Sequence, residues 1–151
     1  MALTSTLGAS ALAAALALAG CAWNDDLSYP AVPRSFYAPM NAAQEVPPTN
    51  SSATGAVFAT LFPDGTLHWD AAYSGLTGWA TAVYFHGPAG PGVTAPPIIN
   101  IGALGVAPRM RGSAHLTEAQ VADLMRGLWY ASILTHANPN GEIRGRVIFT
   151  P

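Results

Sequence analysis

The chain has 151 residues, the length of a single domain, and half of them are hydrophobic. This proportion allows a core and excludes disorder over most of the chain. With six arginines, no lysine and a formal net charge of −2, the chain has neither the basic face that nucleic acid requires nor a polybasic patch for anionic lipid headgroups.

The first 20 residues form an apolar, alanine-rich segment that predicts a signal peptide over residues 1–20. The segment is shorter than a comfortable membrane span, and it ends in small residues. Leu18-Ala19-Gly20-Cys21 resembles a bacterial lipobox, in which Cys21 becomes the lipidated (palmitate-carrying) first residue of the mature protein. Ordinary cleavage after Ala19 is the alternative. Cys21 is the only cysteine, so no intrachain disulfide can form.

Residues 21–35 are expected to be a tether between the lipid and a domain over residues 36–151. They contain two adjacent acids and two prolines and have no hydrophobic periodicity. The protein is therefore expected in the cell envelope, anchored by lipid to a membrane and facing the periplasm or the exterior.

Within the domain, short apolar and alternating segments predict eight strands, and the 15 glycines and 13 prolines of the chain are typical of the turns between strands. The expected strands are Phe36–Ala43, Thr54–Phe62, Thr66–Tyr73, Trp79–His86, Ile98–Ile101, Arg109–Ala114, Leu128–Thr135 and Glu142–Thr150. The second and third should form a hairpin, because Pro63-Asp64-Gly65 between them favours a tight turn.

One helix is predicted over residues 116–127. Thr117 can cap its first turn, Gln120 occupies the reciprocal position of a capping box, and Gly127 should end it. Its buried stripe is expected to consist of Val121, Leu124 and Met125. Together these elements predict an all-β fold, an antiparallel Greek-key-like β-sandwich with one short helix.

The sequence contains no motif that favours an enzyme. Phosphate-binding loops of the Walker type, a Gly-x-Ser-x-Gly elbow and the His-Glu-x-x-His zinc motif are all missing from it. The single cysteine is assigned to lipidation, which leaves no thiol nucleophile. We therefore predict a protein without enzymatic activity and without a cofactor.

Four histidines raise the alternative of a copper site: His68, His86, His115 and His136. His86 and His136 are the better candidates, because each ends a strand beside a loop rich in turn formers. Imidazole suits copper or zinc, and Tyr84 or His68 could supply a third contact. The competing interpretation is a histidine that hydrogen-bonds to loop carbonyls.

A structural ion pair between Glu45 and Arg144 is also predicted. Charged residues make up only 9% of the chain, so a partly buried pair would hold the architecture together rather than catalyse a reaction.

Several segments resemble, in order, the CHRD domain, which is named for the animal protein chordin and occurs singly in secreted bacterial proteins. The resemblance covers about Met40 to Val147 and is carried by four blocks: NAAQEVPPTNSSATGAVFATLFPDGTLHWDAAYSGLTG, TAVYFHGPAGPGV, LTEAQVADLMRGLWYASI and ANPNGEIRGRV. It implies an extracytoplasmic β-sandwich and little about activity.

The resemblance is also the source of the copper hypothesis. The family pattern has His-x-His where this chain has Tyr84-Phe85-His86, and a similar strand occurs in copper–zinc superoxide dismutases. Those enzymes use more histidines than the four present here, so dismutase activity is not expected. The prediction is a lipid-anchored, non-enzymatic binding or structural module whose protein partner is unknown. The alternative is a copper-binding envelope protein with a degenerate dismutase-like site at His86 and His136.

Overall fold

The structure is a computed structural model that describes residues 29–151. This part of the chain forms nine strands, a short 3-10 helix (Ala42–Gln44) and the helix α1 (Glu118–Met125). The strands are β1 (Arg34–Asn41), β2 (Thr54–Leu61), β3 (Thr66–Ser74), β4 (Ala80–His86), β5 (Pro97–Asn100), β6 (Arg109–His115), β7 (Tyr130–Thr135), β8 (Ile143–Arg146) and β9 (Ile148–Thr150).

The described residues include no helix with the length and apolar character required to span a bilayer. The predictions of a signal peptide, a lipidated Cys21 and most of the tether concern residues 1–28, outside the described residues.

All strand pairs are antiparallel and belong to one sheet with the order β5-β4-β7-β8-β1-β2-β3-β6, and β9 pairs with β1. The sheet folds over so that Trp69 of β3 meets Phe85 of β4, their ring centroids 5.9 Å apart and edge to face. The predicted all-β fold with one short helix is confirmed. Its two layers are joined through β8 and β1 into a single, nearly closed sheet.

A single core fills the space inside this sheet. Period-two alternation aims one side chain of every two inward, and the inward residues are apolar. The largest fully buried core side chains are Trp129, Phe36, Phe85, Leu61, Leu67, Leu116, Leu124, Ile133, Ile143, Val57 and Val83. Burial of this many large apolar groups is the main source of stability, at about 25 cal/mol per Å² of apolar surface.

The predicted hairpin and helix both form. Gly65 has a φ of +81°, and the Phe62 N–H donates to the Thr66 carbonyl oxygen, which closes the β2–β3 turn. The capping box of α1 is present in both directions between Thr117 and Gln120. Gly127 follows the helix with a φ of +68°, as expected for a residue that ends a helix.

Two predictions about side chains and strand bounds are wrong. Met125 is 41% exposed, and the buried stripe of α1 is instead Val121, Ala122 and Leu124, because Met125 lies on the outer edge of the apolar face. The expected last strand is divided at Val147, a buried corner between β8, which pairs with β7 and at Arg144 with β1, and β9, which pairs with β1.

The strands give the molecule two ends. At the proximal end the β2–β3 turn lies beside Tyr29, whose ring packs against Gly65 and whose hydroxyl donates to the Leu116 carbonyl oxygen at 2.9 Å. At the distal end β3 finishes at Ser74 and β4 begins at Ala80. At about 3.4 Å per residue, the nine residues of β3 separate the two ends by roughly 27 Å.

Candidate functional site

Polar side chains gather on the outer face of β4, β7 and β8. The register pairs Tyr84 with Ser132 and Ser132 with Arg144, while His86 pairs with Tyr130 and Tyr130 with Arg146. The neighbouring positions Val83, Phe85, Ala131 and Ile133 point into the core. We call the outward residues the outer-face cluster: Tyr84, His86, Tyr130, Ser132, Arg144 and Arg146.

Tyr130 is the centre of this cluster. The His86 ring is parallel to the Tyr130 ring, with centroids 4.6 Å apart. The guanidinium carbon of Arg144 lies 3.4 Å from the Tyr130 centroid, a cation–π contact. Tyr84 meets His86 edge to face at 5.8 Å. The aromatic surface therefore fixes the orientation of both the imidazole and the guanidinium.

The cluster holds residues 87–96, which we call the covering loop. Nδ1 of His86 lies 2.9 Å from the Ala95 carbonyl oxygen. The Tyr130 hydroxyl accepts from the Ala95 N–H at 3.0 Å and donates to the Ala95 carbonyl oxygen at 3.1 Å. Arg144 donates to the Val93 carbonyl oxygen at 2.6 Å. The competing interpretation of His86, a histidine hydrogen-bonded to a loop carbonyl, is the arrangement observed.

The surroundings of His86 favour its neutral form. Burial lowers the pKa of its imidazole and the charge of Arg144 lowers it further, against the opposite effect of the bond to Ala95. A carbonyl oxygen only accepts hydrogen bonds, so Nδ1 carries the proton and Nε2 is unprotonated. Nε2 is buried and has no hydrogen-bond partner within the part of the chain that the structure describes. Among residues 29–151, no group of three or more His, Cys, Asp or Glu side chains could hold a metal ion.

The shared metal site predicted for His86 and His136 is not formed. His86 is opposite Tyr130 at one end of β7, and His136 is an exposed residue beyond the other end. The five residue steps of β7 separate these ends by roughly 16 Å, whereas metal–nitrogen bonds are about 2 Å. The suggested third contact, His68, packs against Phe62 on the outer face of β3.

Glu45 and Arg144, predicted as an ion pair, belong to the same region without touching. The described residues contain two ion pairs within 4.0 Å, Asp70–Arg111 and Asp123–Arg126. Glu45 instead accepts a hydrogen bond from the Ser132 hydroxyl at 3.2 Å. Burial raises the pKa of the Glu45 carboxyl, although the Ser132 bond and the charge of Arg144 act in the opposite direction. Arg144 therefore attracts Glu45 without a direct salt bridge.

A second carboxylate, that of Glu142, lies outside the predicted set of site residues and is the most fully hydrogen-bonded group that the structure describes at the distal end. It is 0% exposed. Its Oε1 accepts from the Ser51 hydroxyl at 2.6 Å and from the Thr77 N–H at 2.8 Å. Its Oε2 accepts from the hydroxyls of Thr77 at 2.8 Å and Thr135 at 2.7 Å. We call these four residues the Glu142 cluster.

The Glu142 cluster carries a negative charge at neutral pH. Burial alone would raise the pKa of the carboxyl, but the bonds from Ser51, Thr135 and Thr77 lower it from 4.5 to about 2. One carboxylate thus joins the segment before β2, the β3–β4 loop and the end of β7.

Comparison with protein families gives one match. The model of the CHRD domain matches residues 36–147. The chain belongs to the CHRD-domain family. Comparisons with curated proteins and with solved structures gave no match.

Two sequence blocks of this CHRD domain meet at its distal end. Glu45–Pro48 and Ala137–Gly141 line a cavity of about 200 Å³. Gly141 has a φ of +132°, and a Cβ there would lie 2.5 Å from a Glu45 carboxylate oxygen. Glycine is therefore required at this position both by the backbone and by the approach of Glu45.

Proposed function

We propose that this CHRD-domain protein is a lipid-anchored, non-enzymatic binding or structural module of the cell envelope. The proposal rests on the observation that the buried polar side chains of the domain form hydrogen bonds with its loops. Tyr130 and Arg144 bind the backbone of the covering loop, and Glu142 binds three distal segments. Loops fixed on a rigid sheet are the usual means by which β-domains recognise ligands.

The same bonds support a role without catalysis. A catalytic acid or base must come within hydrogen-bond distance of a substrate proton. Nδ1 of His86 is engaged with Ala95, its Nε2 is buried, and both Glu142 oxygens are occupied by protein donors. Nδ1 of His86 and the Glu142 oxygens are thus bonded to protein groups, and burial keeps Nε2 of His86 away from a substrate.

The lipid anchor is supported by the sequence Leu18-Ala19-Gly20-Cys21 and by the place where the chain enters the domain. Tyr29 packs at the proximal end, against Gly65 and the Leu116 carbonyl. A lipid on Cys21 would therefore hold the proximal end toward the membrane. The distal loops would then face the space beyond it.

The anchor can be tested by expressing the full chain and Cys21→Ser in a bacterial host supplied with radiolabelled palmitate. We expect wild-type protein in the membrane fraction with incorporated label. Cys21→Ser should lose the label and move to the aqueous fraction, because the acylated sulfur is missing.

An exposed variant, Asp70→Asn, serves as the control, since Asp70 lies on the outer face of β3 and should not affect localisation. Unlabelled wild-type protein, or Cys21→Ser that stays with the membrane, would contradict the proposed anchor.

A further inference from the structure

A cavity of about 350 Å³ opens at the distal end, between the end of β3 and the segment that precedes β6. Its volume is within the range of small-ligand sites, about 300–1,000 Å³. Of residues 29–151, no charged one lines this cavity. Its aromatic and larger aliphatic lining residues are Tyr73, Leu76, Trp79, Val106 and Pro108. We call it the Trp79 cavity. Its lining favours an uncharged ligand with an apolar face.

Trp79 is the unusual member of this lining. Its side chain is 89% exposed, although indole is among the most costly groups to leave in water. A large aromatic group held at the rim of a cavity is typical of recognition sites, because it offers a wide apolar face with few rotatable bonds.

The loop that carries Trp79 is held in place from inside the domain. Two residues before it, Thr77 donates both its N–H and its hydroxyl to the buried Glu142 carboxylate at 2.8 Å. The indole is therefore presented from a fixed support. A ligand that binds there does not have to order the loop, which lowers the entropic cost of binding.

Polar groups at the cavity complete the pattern. The hydroxyl-bearing residues Tyr73 and Ser74 line it together with the backbone of Gly75 and Gly78. A phenol is a neutral hydrogen-bond donor at pH 7, and burial raises the pKa of the Tyr73 phenol further. A ligand that suits both features has hydroxyl groups around its rim and an apolar face of C–H bonds.

We infer that the Trp79 cavity binds a neutral pyranose ring of an oligosaccharide, with the ring stacked on the indole of Trp79. The inference rests on the proposed function for its location. If Cys21 carries the anchor, the distal end faces away from the membrane, where glycans rather than lipid tails are available. The shared chemistry is an uncharged sugar ring, from an N-acetylated wall glycan or from an unsubstituted exopolysaccharide.

The test is a titration of the full-length protein in a detergent without a sugar headgroup. Triacetylchitotriose represents the N-acetylated source and cellotriose the unsubstituted one. Binding is followed by tryptophan fluorescence and by calorimetry. We expect a change in fluorescence with at least one sugar, and a loss of affinity of about 10-fold or more in Trp79→Ala, which corresponds to about 1.4 kcal/mol.

Two variants make the result specific. Trp79→Phe keeps an aromatic face, so binding should persist in calorimetry while the fluorescence change is lost. Leu104→Ala removes another highly exposed apolar side chain, outside this cavity, and should bind as the wild type does. Comparison of the two sugars then identifies the source.

The inference would be overturned if neither sugar binds at millimolar concentration, or if Trp79→Ala binds as well as the wild type. Binding of a proline-rich peptide in place of the sugars would likewise overturn it, in favour of a protein partner. Each outcome of the sugar titration is independent of the lipid anchor, because the Cys21→Ser variant retains the Trp79 cavity. Failure of the sugar titration and failure of lipidation are therefore separate results.

Discussion

Glu45 and Glu142 are two buried glutamates of the same domain whose pKa values shift in opposite directions. Glu142 receives four hydrogen bonds from donors on three segments, and its pKa falls to about 2. Glu45 receives one from a side-chain donor, Ser132, and burial raises its pKa. The number of donors that reach each carboxylate decides the direction of the shift, because burial penalises both charges.

The Glu142→Gln substitution removes the charge of the carboxylate that receives four bonds. The amide NH2 group of glutamine would take the place of a carboxylate oxygen, and this group cannot accept the hydrogen bonds that the oxygen accepts. The free energy of unfolding at pH 7 should therefore fall by about 2 kcal/mol. In the wild type the folded pKa lies below the unfolded value of 4.5. The stabilisation is therefore complete above pH 4.5 and is lost as the pH falls toward about 2. Urea unfolding followed by tryptophan fluorescence at several pH values measures this difference.

Glu118→Gln is the matched control, since Glu118 is an exposed glutamate in the first turn of α1. Glu118→Gln should leave the free energy of unfolding at pH 7, and its dependence on pH, nearly unchanged. If Glu142→Gln lost stability between pH 4.5 and 2 as steeply as the wild type, the carboxylate would not be the group responsible.

At the scale of elements, side chains of β4, β7 and β8 hold the covering loop together with backbone bonds such as that from the Ala89 N–H to the Leu128 carbonyl oxygen. The Tyr130 hydroxyl makes two of these contacts, both with Ala95. Arg144 and Arg146 bind the backbone at Val93 and Ala89. The outer-face cluster therefore supplies the side-chain bonds that hold the covering loop.

Tyr130→Phe should loosen this loop while the fold remains. The ring that contacts His86 and Arg144 stays, but the Ala95 N–H loses its acceptor. We expect a loss of about 1 kcal/mol in global stability and a clear rise in the hydrogen-exchange rate of the Ala95 amide. Tyr84→Phe is the control, because it removes a neighbouring hydroxyl and leaves both bonds to Ala95. Equal exchange rates in the two variants would refute the assignment.

Local signals explain which elements could be predicted from the sequence. The Gly65 turn and the Thr117–Gln120 capping box depend on residues a few positions apart, and both form as expected. The partners of Glu142 are far away in sequence: Ser51 is 91 positions distant and Thr77 is 65. No short-range pattern could reveal this cluster. The nearest signal is an acid at the start of the expected last strand, Glu142–Thr150.

The error at His86 has a related cause. Alternation along a strand fixes the face on which a side chain lies, but it does not fix the position along the neighbouring strand. His86 and His136 were expected to meet, yet antiparallel pairing sets His86 opposite Tyr130. The register depends on the whole sheet, which the sequence of two strands does not determine.

At the scale of the whole molecule, the near-closure of the sheet depends on a narrow joint between β1 and the last two strands. Asn41 pairs with Arg144 at one end of β1, and residues 35–37 pair with β9 at the other. Between them β1 makes no ladder pair with β8 or β9, and Pro39 has no N–H to donate there. Gly145 occupies this gap, where a Cβ would lie 2.2 Å from the Pro39 carbonyl oxygen.

Gly145→Ala should therefore open the joint between the two layers. The new methyl group would meet backbone atoms of Pro39, which cannot move aside as a flexible side chain could. We expect a destabilisation of about 3 kcal/mol, seen as a fall in Tm on the order of 10 °C, and a weaker near-UV circular dichroism signal from the core tryptophans. Gly90→Ala is the control, because its Cβ would meet no atom of the described residues within 4 Å. If the two variants melted within about 2 °C of each other, Gly145 would not be essential for the approach of β8 to β1, and closure would depend on the β1–β9 pairs instead.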